Sequence, residues 1–293
     1  MVSPVYEAAV VGARGFLGGA AVRALRAAGI PTAEYTLDDP LVVEGRIAEE
    51  AQEVRTVVWA AATITPVMAA AEPERVEKDV AALEAALDAL DVEGTPARVL
   101  LLSSGGTVYG PPEVPPFSED DPLHPVGPYG KAKLRLEGVL ARYSRESTCF
   151  RVANAYGPGQ AGSMGQGVLG FWLRAIARGE PVTIFGDPES TRDYVYVDDI
   201  GRAVVSAHVD DAGWPVAVNV GTGVPTSLAQ LLDVVRTVTA RDVEVVYQAA
   251  RSVDTTHTFL DVSRAREIFG WEPRVSLAEG VAEMWSWVLH QQA

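Results

Sequence analysis

Short apolar runs recur through the first half of the chain, each followed by a stretch whose apolar residues fall at helical spacing. Ala8-Ala9-Val10-Val11 leads through a glycine turn to Leu17, Ala20, Ala21, Ala24, Leu25 and Ala28, so a strand, a turn and a helix are predicted in that order. Gly29 and Pro31 end the helix. Thr56-Val57-Val58-Trp59 and Val99-Leu100-Leu101-Leu102 read as further strands, and between them Val76, Val80, Leu83, Leu87 and Leu90 make one stripe of a second helix. Strands separated by helices pack as a parallel, doubly wound α/β sheet.

From about Gly157 the texture changes to Gly-rich loops, a helix near 167–178 and a short strand over 181–185. A second, smaller domain is expected there, dividing the chain into 1–156 and 157–293, with a segment of about 192–220 returning to the first domain. Ser227-Leu228-Ala229-Gln230 and Ser276-Leu277-Ala278-Glu279 have capping-box spacing and predict two helix starts. No repeat or low-complexity linker separates the two parts, so they should pack around a cleft.

Of the 293 residues, 48% are apolar and 22% charged, enough for a sizeable core. The net charge of -15 comes without any run of five Lys or Arg, which argues against a nucleic-acid partner. Any bound anion must therefore meet local arginines or helix N-termini. Cys149 is the single cysteine, so no disulfide and no multi-cysteine metal site is expected, and a reducing, cytoplasmic setting fits. Residues 1–11 carry no basic leader, and no apolar stretch approaches ~18 residues, so neither secretion nor membrane insertion is expected.

Gly12-Ala13-Arg14-Gly15-Phe16-Leu17-Gly18 has G-x-x-G-x-x-G spacing between a predicted strand and a predicted helix. Glycines there allow a tight turn, let backbone approach a pyrophosphate and let helix pack on strand, while the helix N-terminus attracts the phosphate charge. An acidic residue normally closes the next strand and holds the adenosine ribose; here that position is Thr36. With no carboxylate to repel a 2′-phosphate and Arg14 within reach of one, NADP is the expected cofactor. NAD is the alternative if Asp38 or Asp39 makes the ribose contact.

Tyr129 and Lys133 are four residues apart, on one face of the helix that starts after Pro128. A phenolate held beside an ammonium can take the proton of a sugar hydroxyl as hydride leaves, and the phenol can return it. Together with the glycine turn, Ser103-Ser104-Gly105-Gly106-Thr107-Val108-Tyr109-Gly110, Arg151-Val152-Ala153-Asn154-Ala155-Tyr156-Gly157-Pro158-Gly159, Arg192-Asp193-Tyr194-Val195-Tyr196-Val197-Asp198-Asp199 and Asn219-Val220-Gly221-Thr222-Gly223, this pair occurs in a characteristic order. The sequence resembles the extended short-chain dehydrogenases of the NAD-dependent epimerase/dehydratase family over nearly its whole length.

The resemblance implies a Rossmann-type doubly wound sheet with a smaller C-terminal α/β substrate domain, and a nucleotide-diphosphate sugar as substrate. It places Tyr129 and Lys133 at the chemistry, and Arg46, Ile47, Ala60, Ala61 and Ala62 beside the dinucleotide. It also implies that Asn154, Arg192 and Arg251 line the diphosphate, that Gly167 and Val168 approach the base, and that the protein is a homodimer through the helices bearing Tyr129 and Val76.

The chain departs from the family pattern in several places. Gly105 stands where the family usually carries the Ser or Thr that bonds the reacting oxygen, so the role is expected to pass to Ser104, to Thr107 or to a water. Period-two alternation in an extended segment would favour Thr107. Gly106-Thr107 stands where related dehydratases carry Asp-Glu, which disfavours dehydration. Arg46 replaces an acidic residue at the adenine position, and Asp79 stands where Asn is common. The leading expectation is NADPH-dependent reduction of a nucleotide-linked 4-keto-6-deoxyhexose with Tyr129 as proton donor. The alternatives are a 4-epimerase with tightly held NAD and a dinucleotide-sensing protein without turnover.

Overall fold

The computed structural model describes residues 5–111, 114–160, 167–250 and 257–291. Strands β1 (Ala8–Val11), β2 (Thr32–Tyr35), β3 (Thr56–Trp59), β4 (Arg98–Ser104), β5 (Ser147–Val152) and β6 (Ala217–Val220) form a parallel sheet in the order β6-β5-β4-β3-β1-β2. The chain leaves β1 for one side to make β2 and returns to the other side to make β3. That reversal opens a crevice above the carboxyl ends of β1 and β3.

The runs that predicted these strands are continuously apolar because both faces of the sheet are covered. Side chains alternate between them: Ala9, Val11, Val57 and Leu101 enter one core, and Ala8, Val10, Val58 and Leu100 the other. The first core includes Val76, Val80, Leu83, Leu87 and Leu90, the predicted stripe, all buried on one long helix over Pro73–Glu93. The second includes Ala21 and Leu25 of helix α1 (Phe16–Ala27).

In chain order the other helices are α2 (Pro66–Ala71), α3 (the Pro73–Glu93 helix), α4 (Gly105–Val108, a single turn), α5 (Gly127–Leu140), α6 (Val168–Ala177), α7 (Val197–Val209), α8 (Leu228–Thr239), α9 (Ser263–Phe269) and α10 (Leu277–His290). A third core gathers Trp172 and Leu173 of α6, Leu231 and Val235 of α8, and Val281 and Met284 of α10. Both predicted capping boxes are formed, Ser227 with Gln230 at α8 and Ser276 with Glu279 at α10. The segment linking the third core to the sheet pairs Tyr194–Tyr196 with Asn154–Tyr156 in parallel. It then runs through α7, which packs on α1, where a Cβ at Gly201 would lie 2.7 Å from the Ala20 carbonyl oxygen. Among the described residues no helix is long and apolar enough to cross a membrane, and no three potential metal-ligating side chains cluster.

His208 on α7 is buried, its Nδ1 2.9 Å from Thr56 Oγ1. Burial, then the nearby Arg55, holds its pKa below the usual value. The folded state therefore binds fewer protons than the unfolded state between the two pKa values, and the stability this contributes is present above the unfolded value of about 6.5 and lost as pH falls through the lower one. Thermal melts from pH 7.5 to 5 should show a midpoint that drops below about 6.5, and His208→Gln should flatten that part of the profile.

Candidate functional site

The glycine turn is fixed from three sides. The amides of Gly12 and Ala13 donate to the Tyr35 carbonyl at 2.9 and 3.2 Å, pinning the turn to the end of β2. Gly12 has φ +85°, and a Cβ there would lie 2.7 Å from the backbone nitrogen of Ala61 in the loop after β3. A Cβ at Gly18 would strike the Gly12 carbonyl, and one at Gly15 would crowd it at 3.1 Å. Helix α1 thus begins directly on the turn. Its N-cap is Gly15, with no side chain to cap the first-turn N–H groups and no acidic residue beside them. This is a backbone cradle of the kind a pyrophosphate fits.

Around that cradle Thr36 follows β2, its amide donating to the Asp39 carbonyl at 2.8 Å and its Oγ1 accepting from the Asp39 amide at 3.3 Å. Asp38 and Asp39 are exposed, and so is Arg14, which makes no ion pair among the described residues. The Ala60 amide donates to the Val11 carbonyl at 2.9 Å, keeping Ala60-Ala61-Ala62 against the turn. Asp79 accepts from the Thr63 amide at 2.9 Å and from its hydroxyl at 2.8 Å, so its carboxylate fixes that same loop. Arg46 lies on a hairpin with Val42–Val43; its side chain is 79% exposed and 3.6 Å from Glu93, while Ile47 is buried in the core.

The segment after β4 differs from the extended form assumed above. Gly105–Val108 is one helical turn, so side-chain alternation does not apply there. Ser104 and Thr107 come onto one side through the three-residue spacing of a helical turn, with Thr107 Oγ1 donating to Ser104 Oγ at 3.0 Å. The structure also explains Gly105: a Cβ there would lie 2.6 Å from Leu260 Cδ1 and 2.8 Å from the Arg151 carbonyl oxygen. On the other side the turn meets α5, where a Cβ on Gly130 would strike the Thr107 carbonyl. That same carbonyl accepts from the Val126 amide at 2.9 Å. Lys133 is buried, its Nζ donating to the Leu102 carbonyl at 3.2 Å and lying 5.7 Å from the Tyr129 ring centroid. Gly105→Ser, which returns the family hydroxyl, should overpack the turn, lowering unfolding free energy in denaturant titrations by about 1–3 kcal/mol and leaving activity below wild type.

Behind Lys133, Glu137 and Arg151 form a buried ion pair at 2.9 Å. Ser103 donates to Glu137, Arg151 donates to the Tyr109 hydroxyl at 2.9 Å, and Tyr109 donates to Asn219 Oδ1 at 2.9 Å. Asn219 in turn donates through Nδ2 to the carbonyls of Phe117 and Asp261, and its amide donates to Glu119 at 2.7 Å. Burial pushes Tyr109 up to about 12, against the pull of Arg151. Burial alone would lower the Arg151 pKa, and the Glu137 carboxylate more than reverses this. Glu137→Gln should cost about 3–5 kcal/mol in denaturant titrations, because it leaves a buried guanidinium without its counter-charge.

Tyr129, Thr107, Asn154, Gly167, Val168 and Arg192 all line one cavity of about 670 Å³. Thr107 rather than Ser104 reaches its surface. Asn154 is held by its Nδ2, which donates to the Asp193 carbonyl at 3.2 Å, and the buried Asp193 carboxylate accepts from the Thr222 and Gly223 amides at 2.8 and 3.0 Å. Arg192 lies on a strand between Thr226–Ser227 and His257–Thr258. Arg251 lies outside the described residues. Sequence reasoning missed other lining residues, among them Pro66, Val67 and Ala70 of α2 and Phe185 and Asp187. A period or motif does not single them out, because they meet only through the packing of distant elements.

A dinucleotide-type cradle at the switch point of a parallel sheet, with a Tyr–Lys helix over the neighbouring strand end, defines an extended short-chain dehydrogenase fold. The chain belongs to the NAD dependent epimerase/dehydratase family, whose model matches residues 8–221. It is 40% identical over 190 residues to the UDP-glucose 4-epimerase of Mycolicibacterium smegmatis and 32% identical over 191 residues to the dTDP-4-dehydro-6-deoxyglucose reductase of Escherichia coli. Each alignment takes in 64% of this chain and 60% of the relative, so the match spans about three fifths of those proteins. A crystal structure of UDP-glucose 4-epimerase with UDP-glucose from Thermotoga maritima superposes with a TM-score of 0.85 at 30% identity, covering 98% of this chain and 99% of that one. MoeE5 in complex with UDP-glucuronic acid and NAD gives the same TM-score at 29% identity, covering 97% and 99%.

Proposed function

We propose that this protein is an NAD(P)-dependent enzyme acting at C4 of a nucleotide-diphosphate sugar, and that its reaction is 4-epimerisation with retained NAD. The observation that carries the reading is the single cavity shared by Tyr129, Thr107, Asn154 and Arg192. Arg192 and Asn154, with Arg251, hold the diphosphate by charge-assisted and neutral hydrogen bonds, and Gly167-Val168 border the base. The Gly12–Gly18 turn, Thr36, Arg46-Ile47 and Ala60-Ala61-Ala62 hold the dinucleotide, which supplies hydride acceptance and return when bound. Tyr129 takes the C4 hydroxyl proton and gives it back, with Lys133 Nζ 5.7 Å from its ring centroid. Thr107, hydrogen-bonded to Ser104, steadies the same oxygen. The similarity to 4-epimerases and to an NAD complex moves this reading ahead of the NADPH-dependent reductase.

A 4-ketoreductase using NADP is the second reading. Thr36 at the ribose position and the unpaired Arg14 in the glycine turn favour it, since both accommodate a 2′-phosphate. Gly106 and Thr107 offer no acid and base for dehydration. A homodimer across α3 and α5 is part of the proposal, with light scattering as its test.

The dinucleotide released from denatured protein, and turnover followed by NMR, separate the two readings. Stoichiometric NAD and interconversion of UDP-glucose with UDP-galactose are expected. Cofactor-free protein that consumes NADPH only with a nucleotide-linked 4-keto sugar would establish the reductase. Tyr129→Phe should lower turnover by about 10²–10⁴-fold in either case, with nucleotide-sugar affinity nearly unchanged.

A further inference from the structure

The cavity is unevenly charged. Among the described residues that line it, those with a formal charge are Arg192 and Asp187, both on the segment that follows the strand Val182–Phe185, beside the third core. At the Tyr129 end the wall is helix α2, which packs on α5 and presents Pro66, Val67 and Ala70 to the cavity. Val67 is 55% exposed, a large apolar side chain facing the cavity. At the N-terminus of α2, Pro66 has no N–H and the Met68 amide already donates to Thr65 Oγ1 at 3.2 Å, which leaves an anion the Val67 amide of that turn.

We propose that α2 is the wall against which the far edge of the sugar packs, and that it selects sugars whose C5 substituent is uncharged, a hydroxymethyl, a methyl or a hydrogen, over hexuronates. The inference rests on the reading of this cavity as a sugar-nucleotide site and adds which sugars it takes. With the diphosphate at Arg192 and C4 at Tyr129, the ring lies between the two, and the proposal turns its C5 edge, rather than its C2–C3 edge, towards α2. Pro66, Val67 and Ala70 give methyl and methylene groups there. A hydroxymethyl or methyl buries carbon against them, and the hydroxyl can turn to water. A carboxylate in the same place gives up hydration against a helix that carries no charged side chain.

The test is calorimetry on NAD-loaded protein with UDP, dTDP, UDP-glucose, UDP-xylose and UDP-glucuronate. UDP-glucose and UDP-xylose should bind within about tenfold of each other, and UDP-glucuronate about 100-fold more weakly than UDP-glucose. Val67→Arg, at a half-exposed position that tolerates a longer side chain, should narrow the glucose-to-glucuronate ratio by about tenfold or more. UDP-glucuronate binding as tightly as UDP-glucose to the wild type overturns the inference, as does a ratio unchanged in Val67→Arg while both sugars still bind. If UDP, dTDP and the UDP-sugars all fail to bind, the sugar-nucleotide reading itself has fallen and this inference falls with it, a result distinct from equal binding of the two sugars.

Discussion

The buried pair between Glu137 and Arg151 ties the site to the sheet. Glu137 stands one helical turn beyond Lys133 on α5, and Arg151 lies near the end of β5, so a single 2.9 Å contact sets how α5 rests on the strands. The pair's remaining donors and acceptors are met by Ser103 and Tyr109, and Tyr109 passes the constraint to Asn219 on β6. Two charges taken out of water add little net stability, but they accept few alternative arrangements. Here they specify the rotation and height of the helix that carries Tyr129.

Around that anchor, backbone meets backbone. The turn after β4 has Arg151 and Leu260 against Gly105 on one side and α5 against it at Gly130 on the other, each approach too close for a Cβ. The glycine turn is clamped in the same way between Tyr35 and Ala61. Contacts of this kind leave little freedom to the groups they carry, as a site for proton and hydride transfer requires. The same crowding leaves no room for a side chain at position 105, and the hydroxyls beside it are the hydrogen-bonded Ser104 and Thr107.

The cavity depends on the seam between the sheet and the third core. Asn154 and Arg192 lie on short strands that cross that seam, and Asp193 binds the Thr222-Gly223 loop beneath them. Leu260, just past the His257–Thr258 strand beside Arg192, also packs under the Gly105–Val108 turn. The part of the chain that would hold the diphosphate therefore touches the part that would move the proton.

What could be read from the sequence was local. Apolar runs, the stripe on α3, the two capping boxes, the glycine turn and the Tyr129–Lys133 spacing are set by the periods of strand and helix and by hydrogen bonds between near neighbours, so residue order carries them. The helical turn over Gly105–Val108 has no such local signal, because what packs against it lies on α5 and around Leu260, far along the chain. A glycine in a sequence does not record what fills the place of its missing side chain. The Glu137–Arg151 pair, the apolar wall of α2 and the meeting of Asn154 with Arg192 in one cavity likewise have no period or motif. Sequence by itself determined the elements that carry a period, the family and the spacing that sets Tyr129 and Lys133 on one helix. Tertiary structure alone decided which hydroxyl reaches the cavity and which helix walls it beside Tyr129, because both come from packing between segments that residue order does not relate.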